Sequence, residues 1–238
     1  GKPIIEAAAV VTKQKNARIV TGYKRQMGGV RMLKIIGRKS SSNVQKVLWA
    51  CAEMGIAYDR EDAGREFGVV DTDAFFSLNP NRRVPVMIED DFVLWESNSI
   101  VRYLAAKHDM GGLCPAYPRM RADAERWMDW QLSALGAAFT NMFHGLVRDK
   151  PENRNWDSIN KSRDATERHL EMLNTRLEDR AFVTGDNFTM ADIPVGIYGY
   201  RWYAFEDIER KDLPNLKRWY DQLTDRPGFR EFVMVGLG

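Results

Sequence analysis

Cysteine and histidine are scarce in this chain of 238 residues, which has two of the former, Cys51 and Cys114, and three of the latter. There is no CxxC pair and no Cys/His cluster at metal-ligand spacing, so neither a disulfide framework nor a zinc site is supported and no metal is expected. Long apolar runs are missing as well. Nothing approaches the roughly 18 residues of a membrane span, and the run from Ile4 to Val11 is interrupted by Glu6 and has no basic segment before it. The resulting expectations are a reducing, cytoplasmic setting, no export signal and no membrane partner. Charge of one sign is also in short supply: 35 Lys plus Arg against 33 Asp plus Glu leave +2. That is too little for the broad basic field that draws nucleic acid, so no nucleic-acid partner is expected.

What is present is enough apolar material, 44% against 29% charged, for one large or two small cores of a soluble globular protein. The charge is unevenly placed. Residues 1–31 hold seven basic side chains (Lys2, Lys13, Lys15, Arg18, Lys24, Arg25, Arg31) and one acid, Glu6, which leaves the remainder mildly acidic. This stretch has no sustained period and contains Gly28-Gly29, so it reads as a basic N-terminal extension, either translated upstream sequence or an arm for an anionic partner.

From Met32 the pattern becomes regular. Met32 to Ile36 reads as a buried strand, followed by Gly37 and the polar group Arg38 to Asn43. Val44, Val47, Leu48, Cys51 and Met54 then mark a helix ended by Gly55, with the preceding hydroxyls placed to cap it. Ile56 to Asp59 reads as a strand and Thr72 to Leu78 as a short helix. Val84 to Ile88 and Phe92 to Trp95 have the spacing of a hairpin, and a helix from Ser97 to about His108 follows. This order predicts an α/β sandwich at 32–108 whose first connections cross over between parallel strands. After a Gly/Pro-rich linker at 109–118 the pattern at 119–238 is all helical, with helices expected over Arg119 to Val147, Trp156 to Leu177, Thr189 to Phe205 and Leu216 to Leu223.

Three separated motifs carry a family resemblance: Gly37-Arg38-Lys39-Ser40-Ser41-Ser42-Asn43-Val44-Gln45-Lys46-Val47; Asn79-Pro80-Asn81-Arg82-Arg83-Val84-Pro85-Val86 with Glu96-Ser97; and Thr189-Met190-Ala191-Asp192-Ile193. In this order and spacing the chain resembles a cytosolic glutathione transferase, of a bacterial, serine-type or Asn-containing, theta- or nu-like kind. The resemblance covers essentially all of the chain from Met32 onward. It implies a thioredoxin-like α/β N-terminal domain that binds glutathione as co-substrate, an all-α helical C-terminal domain, and a homodimer.

The chemistry such a protein must supply follows from the thiol. A thiol of pKa near 8.5 is only about 3% ionised at pH 7, and lowering that pKa by about two units takes roughly 2.7 kcal/mol of preferential thiolate stabilisation. A hydroxyl or amide donor at a helix N-terminus can provide it. The resemblance places Ser41 where serine-type members carry the catalytic hydroxyl, and Asn43 where some bacterial members, including glutathione-dependent disulfide reductases, carry an amide donor. Ser40 and Ser42 are secondary, with Ser42 taken as a glutathione contact. No Tyr lies in the turn, and no Cys is there to form a mixed disulfide. Val84-Pro85 matches the family's cis-proline element, and Arg83 stands where a Lys often meets the glycine carboxylate. Glu96 and Ser97 suit the ammonium and carboxylate of the γ-glutamyl group.

Thr189 and Asp192 form a capping arrangement with a structural role, for which a loss of roughly 1–2 kcal/mol on Asp192→Ala is expected. The wall for a small hydrophobic electrophile is expected on the first long helix of the second domain, from Phe139, Met142 and Phe143, with Trp127, Trp130 and His144 nearby. Tyr198, Tyr200, Trp202, Tyr203 and Phe205 should wall or fill the interdomain cleft. A disulfide or peroxide reductase on the same fold, a non-catalytic binding module, and a dehalogenase or isomerase remain as alternatives.

Overall fold

The computed structural model describes residues 32–237, so the basic extension lies outside the described residues. Its sheet has four strands: β1 (Leu33–Ile36), β2 (Tyr58–Glu61), β3 (Val86–Glu89) and β4 (Phe92–Trp95), in the order β2-β1-β3-β4. β1 and β2 are parallel, whereas β3 runs antiparallel to β1 and to β4. The expectation that the first connections all join parallel strands is therefore corrected, because only the first one does.

That first connection is α1 (Ser42–Met54). Its apolar face buries Val44, Val47, Leu48, Trp49 and Cys51, and it ends at Gly55, whose φ of 64° is left-handed. The Ile56 amide donates back to the Cys51 carbonyl at 2.9 Å. Ile56 thus belongs to the helix stop, as in a Schellman motif. This is why β2 starts at Tyr58 and not at Ile56 as the sequence pattern suggested. α2 (Asp73–Leu78) is capped by Thr72 Oγ1, which accepts from the Phe75 amide at 3.2 Å. β3 begins only at Val86, after the Val84-Pro85 turn, and α3 (Ser97–His108) closes this half of the molecule.

The helical half starts with α4 (Pro118–Trp130), which continues without a break through a π-helical turn (Gln131–Leu135), α5 (Gly136–Phe143) and a second π-helical turn (His144–Arg148). α6 (Trp156–Arg176), α7 (Asp192–Ala204) and α8 (Pro214–Thr224) follow. A last helix, α9 (Pro227–Phe232), was not anticipated, since six residues are too few for an apolar period. It nonetheless puts Phe229 edge-on against Trp49 at 4.9 Å, and Arg226 makes a two-pronged contact with Glu53 at 2.9 and 2.5 Å.

α7 begins at Asp192, three residues later than expected, because Thr189 to Ala191 form the turn that leads into it. The Asp192 carboxylate is fully buried and accepts from the Val183 amide (2.9 Å), the Thr189 amide (3.0 Å) and Trp219 Nε1 (2.9 Å). It does more than cap one helix, since it joins the loop before α7 to α8.

One large core runs from the α1/α3 face of the sheet into the helical half, through Leu48, Trp49, Val101, Met128, Ile193 and Trp219. A smaller core of Ile36, Ala63, Phe75, Val86 and Ile88 lies on the opposite face under α2. Gly196 makes the close approach of α7 to α1 feasible, for a Cβ there would stand 3.0 Å from the Trp49 ring. The two halves are thereby held against each other along a cleft.

Candidate active site

The cleft opens at the N-terminus of α1 and has a volume of about 480 Å³. The backbone geometry there starts with Gly37. A Cβ at this position would sit 2.5 Å from Val44 Cγ2 and 3.0 Å from Val84 Cβ, so glycine lets the α1 turn and the Val84 turn meet. Ser41 occupies the N-cap position of α1, and its carbonyl accepts the first helical hydrogen bond, from the Gln45 amide, at 2.8 Å. Its side chain makes no capping hydrogen bond, contrary to the expectation that the hydroxyls cap this helix. There is no acid in the first turn either, and Ser41 lines the cleft at the positive end of α1.

Ser40, Ser42 and Asn43 line the same mouth. Asn43 is fixed from the other motif: Ser97 Oγ donates to Asn43 Oδ1 at 3.3 Å, across 54 residues of sequence. This leaves the Asn43 amide nitrogen as a donor beside Ser41. The Val84-Pro85 bond is cis, and Val84 and Arg83 line the cleft while Pro85 is buried behind them. Glu96 is exposed and has a φ of 72°, a conformation that is costly for a residue with a side chain and that concentrates at functional sites. Glu96 and Ser97 flank the cleft rather than line it.

The opposite wall comes from the helical half. Phe139 and Phe143 line it as expected, together with Gly136, Thr140 and His144. Met142 does not: it is fully buried, pointing to the core side of α5, and its position as a wall residue is corrected. Trp127 and Trp130 meet edge to face at 5.0 Å, away from the cleft. Among the aromatics of α7 only Tyr198 reaches the lining, whereas Trp202 and Phe205 are core. The expected apolar character of this wall is corrected too, because Arg148 and Arg201 stand on it beside Phe143. Sequence reasoning missed both, although Arg201 is one helical step from Tyr198. Arg148 lies just past the expected helix end, and the π-helical turn brings it onto the face of Phe143, five residues earlier.

Two family models match the chain, the glutathione S-transferase N-terminal domain over residues 40–107 and the glutathione S-transferase C-terminal domain over residues 136–227. Glutathione S-transferase GstB of Escherichia coli K12 is 39% identical over 206 residues, covering 86% of this chain and 99% of the relative. This chain belongs to the glutathione S-transferase family. A crystal structure of the theta class glutathione S-transferase from Xanthomonas axonopodis pv. citri with glutathione bound superposes with a TM-score of 0.83 at 39% identity, over 88% of this chain and all of the other. Glutathione S-transferase F13 of Arabidopsis thaliana is 27% identical over 213 residues, 86% of this chain and 96% of its own length.

Within this glutathione S-transferase chain the cysteines are poor nucleophiles. Both are buried, and burial pushes the Cys51 thiol up to about 12 and raises that of Cys114. The reactive sulfur is therefore one that the cleft receives from outside. Behind the cleft, Lys46 of α1 is buried and donates to Gln131 Oε1 at 2.9 Å, tying the α/β half to the first π-helical turn. Burial, then the nearby Arg201 charge, lower its ammonium to about 7, with Glu96 acting in the opposite sense.

Proposed function

We propose that this protein is a glutathione transferase in which the Ser41 hydroxyl and the Asn43 amide, at the N-terminus of α1, stabilise the glutathione thiolate for attack on an electrophile held against the helical wall. The observation that carries the reading is the Ser97–Asn43 hydrogen bond. It joins two separated motifs at a helix N-terminus whose own N-cap hydroxyl is not engaged. An amide, a hydroxyl and the helix dipole directed at one point can together supply the roughly 2.7 kcal/mol that a two-unit shift of a thiol requires.

In this reading the α/β part, 32–108, holds glutathione. Val84, with Pro85 behind it, presents backbone to the cysteinyl portion, and Arg83 meets the glycine carboxylate, which its planar fork can grip bidentately. Ser97 and the first amides of α3 meet the γ-glutamyl carboxylate, Glu96 meets its ammonium, and Ser42 adds a contact from α1. The linker at 109–118 leads to the helical part, 119–238, where Phe139 and Phe143 contact the electrophile. Detoxification in the cytoplasm and a homodimeric assembly complete the proposal. Among the described residues, no helix is long and apolar enough to cross a membrane.

The test is the pH dependence of turnover in Ser41→Ala and Asn43→Ala. A rise of the apparent thiol pKa in either variant supports the assignment, and an unchanged profile in both would refute it.

A further inference from the structure

Among the described residues the cleft is lined by six arginines, Arg38, Arg65, Arg82, Arg83, Arg148 and Arg201, and by no aspartate or glutamate. Arg82 is engaged locally, donating to the Val70 and Thr72 carbonyls at 3.3 and 3.4 Å and stacking on Phe76. None of the other five forms an ion pair among the described residues. Glutathione brings two carboxylates, which the proposal above assigns to Arg83 and to the α3 N-terminus on the α/β wall. Positive charge is left over, shared between Arg38 and Arg65 on the α/β side and Arg148 and Arg201 on the far wall.

Arg201 is largely withdrawn from water, with its guanidinium carbon 4.2 Å from the centre of the Phe143 ring. Arg148 approaches the same ring at 5.4 Å. Arg65 closes the arrangement from the loop after β2: burial and then the Arg65 charge lower the pKa of Arg38, with exposed Glu66 opposing, and burial and Arg65 lower that of Arg201, with Tyr198 opposing. Arg38 Nε is buried with no hydrogen-bond partner. Arg38 and Arg201 are thus part-buried cations without an ion pair among the described residues, a state that is unfavourable unless an anion arrives to compensate it, whereas Arg65 and Arg148 are exposed beside them. A hydrocarbon electrophile would leave that repulsion in place.

We propose that Arg201 and Arg148, flanking Phe143 and faced by Arg65, form an anion subsite that selects second substrates bearing a carboxylate, with the Phe143 ring supporting the apolar body of the molecule. The inference rests on the transferase reading and names its substrate class. With an aryl halide acid, the thiolate sulfur forms a bond to the ring carbon, and the C–Cl bond then breaks with its electron pair leaving as chloride. The thiol proton has already gone to solvent.

The experiment compares a matched pair differing only in charge. Binding of dinitrobenzoate and of dinitrobenzamide is measured in the presence of S-methylglutathione, and turnover of chlorodinitrobenzoate and of chlorodinitrobenzamide is measured with glutathione and corrected for the uncatalysed rates. The expected result is a preference for the acid of about tenfold, as a charge-assisted contact provides, carried mainly by Kd and KM. Raising the ionic strength from about 0.02 to about 0.2 M should shrink it. The acid-to-amide ratio should fall toward one in Arg201→Gln and fall part-way in Arg148→Gln. The latter residue is exposed, so that variant keeps the test open should Arg201→Gln fail to fold. Binding of the acid no tighter than the amide overturns the subsite whether or not either halide turns over. A ratio unchanged in both variants also overturns it. Turnover of the amide without preference for the acid removes the subsite and leaves the transferase reading standing, whereas failure to bind or ionise glutathione removes both.

Discussion

The two walls of the cleft are built by different means. On the α/β side every group comes from a turn or a helix start: Ser41 and Asn43 open α1, Val84 precedes Pro85, and Ser97 opens α3. On the helical side the groups come from the middle and end of long helices, with Phe139 and Phe143 on α5, Arg148 in a π-helical turn, and Tyr198 and Arg201 on α7. A turn fixes its side chains through short-range backbone geometry, which in the proposed reading suits the activation of one constant thiol by compact motifs. A helix face presents whatever side chain falls at the right step, so the wall facing a variable substrate can change without changing the frame. In the proposed reading, chemistry and selectivity are thereby separated between the walls.

This difference also decides what could be read from the sequence. That Ser41, Asn43 and Arg83 would meet at one mouth, with Ser97 at its flank, was legible, because Gly, Pro and hydroxyl residues at fixed offsets have a local structural meaning. On the other wall Phe139 and Phe143 were anticipated, but Met142 was placed there wrongly. Periodicity identifies an apolar helix face and does not say which part meets a cleft and which meets a neighbouring helix. Arg201 escaped notice because an arginine on a helix reads as a solvated charge until the tertiary packing partly desolvates it, and Arg148, which stays exposed, because it lies just past the expected helix end. The strand order was also beyond reach, since the antiparallel pairing of β3 with β1 is set by long-range contacts.

The most damaging way to break the contrast lies behind the helical wall. Asp192 anchors the start of α7, which carries Tyr198 and Arg201. Asp192→Ala would leave two backbone amides and an indole N–H buried without an acceptor, at about 1–3 kcal/mol each. A loss on the order of 3–5 kcal/mol is expected, larger than a helix cap alone would give, and denaturant unfolding measures it. A loss within 1 kcal/mol would refute the anchoring role. Burial raises the Asp192 carboxyl to about 6 from 3.8. The folded state therefore holds this proton more tightly than the unfolded chain, and the Asp192 contribution to stability falls as pH rises through that window. The slope should vanish in Asp192→Asn, as urea unfolding at several pH values would show.

On the other wall, the Ser41→Ala/Asn43→Ala double variant should lose about 10²-fold or more in kcat/KM at neutral pH for every second substrate, in the range for removal of an oxyanion donor. Arg201→Gln should alter the acid-to-amide ratio and leave the pH at which glutathione ionises where it was. Steady-state kinetics on the charged and uncharged pair separates the two walls. A selectivity change in the double variant, or a shifted thiol pKa in Arg201→Gln, would erase the distinction.

The smallest expected effect is at the junction between them. Lys46 is buried on α1 with its ammonium lowered from 10.5 to about 7. Above about pH 7 the unfolded chain binds this proton and the folded protein does not, so the Lys46 contribution makes stability rise with pH. The rise should be visible between pH 7 and 9, before Cys51, with its ordinary value of 9.0, begins to oppose it. In Lys46→Met the rise should disappear, with stability at pH 7 equal to or above that of the parent. A parallel pair of stability curves would contradict this.

The most direct test of the account is ultraviolet difference titration of the glutathione thiolate on the purified protein. The predicted result is a bound thiolate at neutral pH, with an apparent pKa about two units below 8.5 that returns toward the free value in the Ser41→Ala/Asn43→Ala double variant. Glutathione bound as the thiol, ionising no earlier than in water, would contradict it.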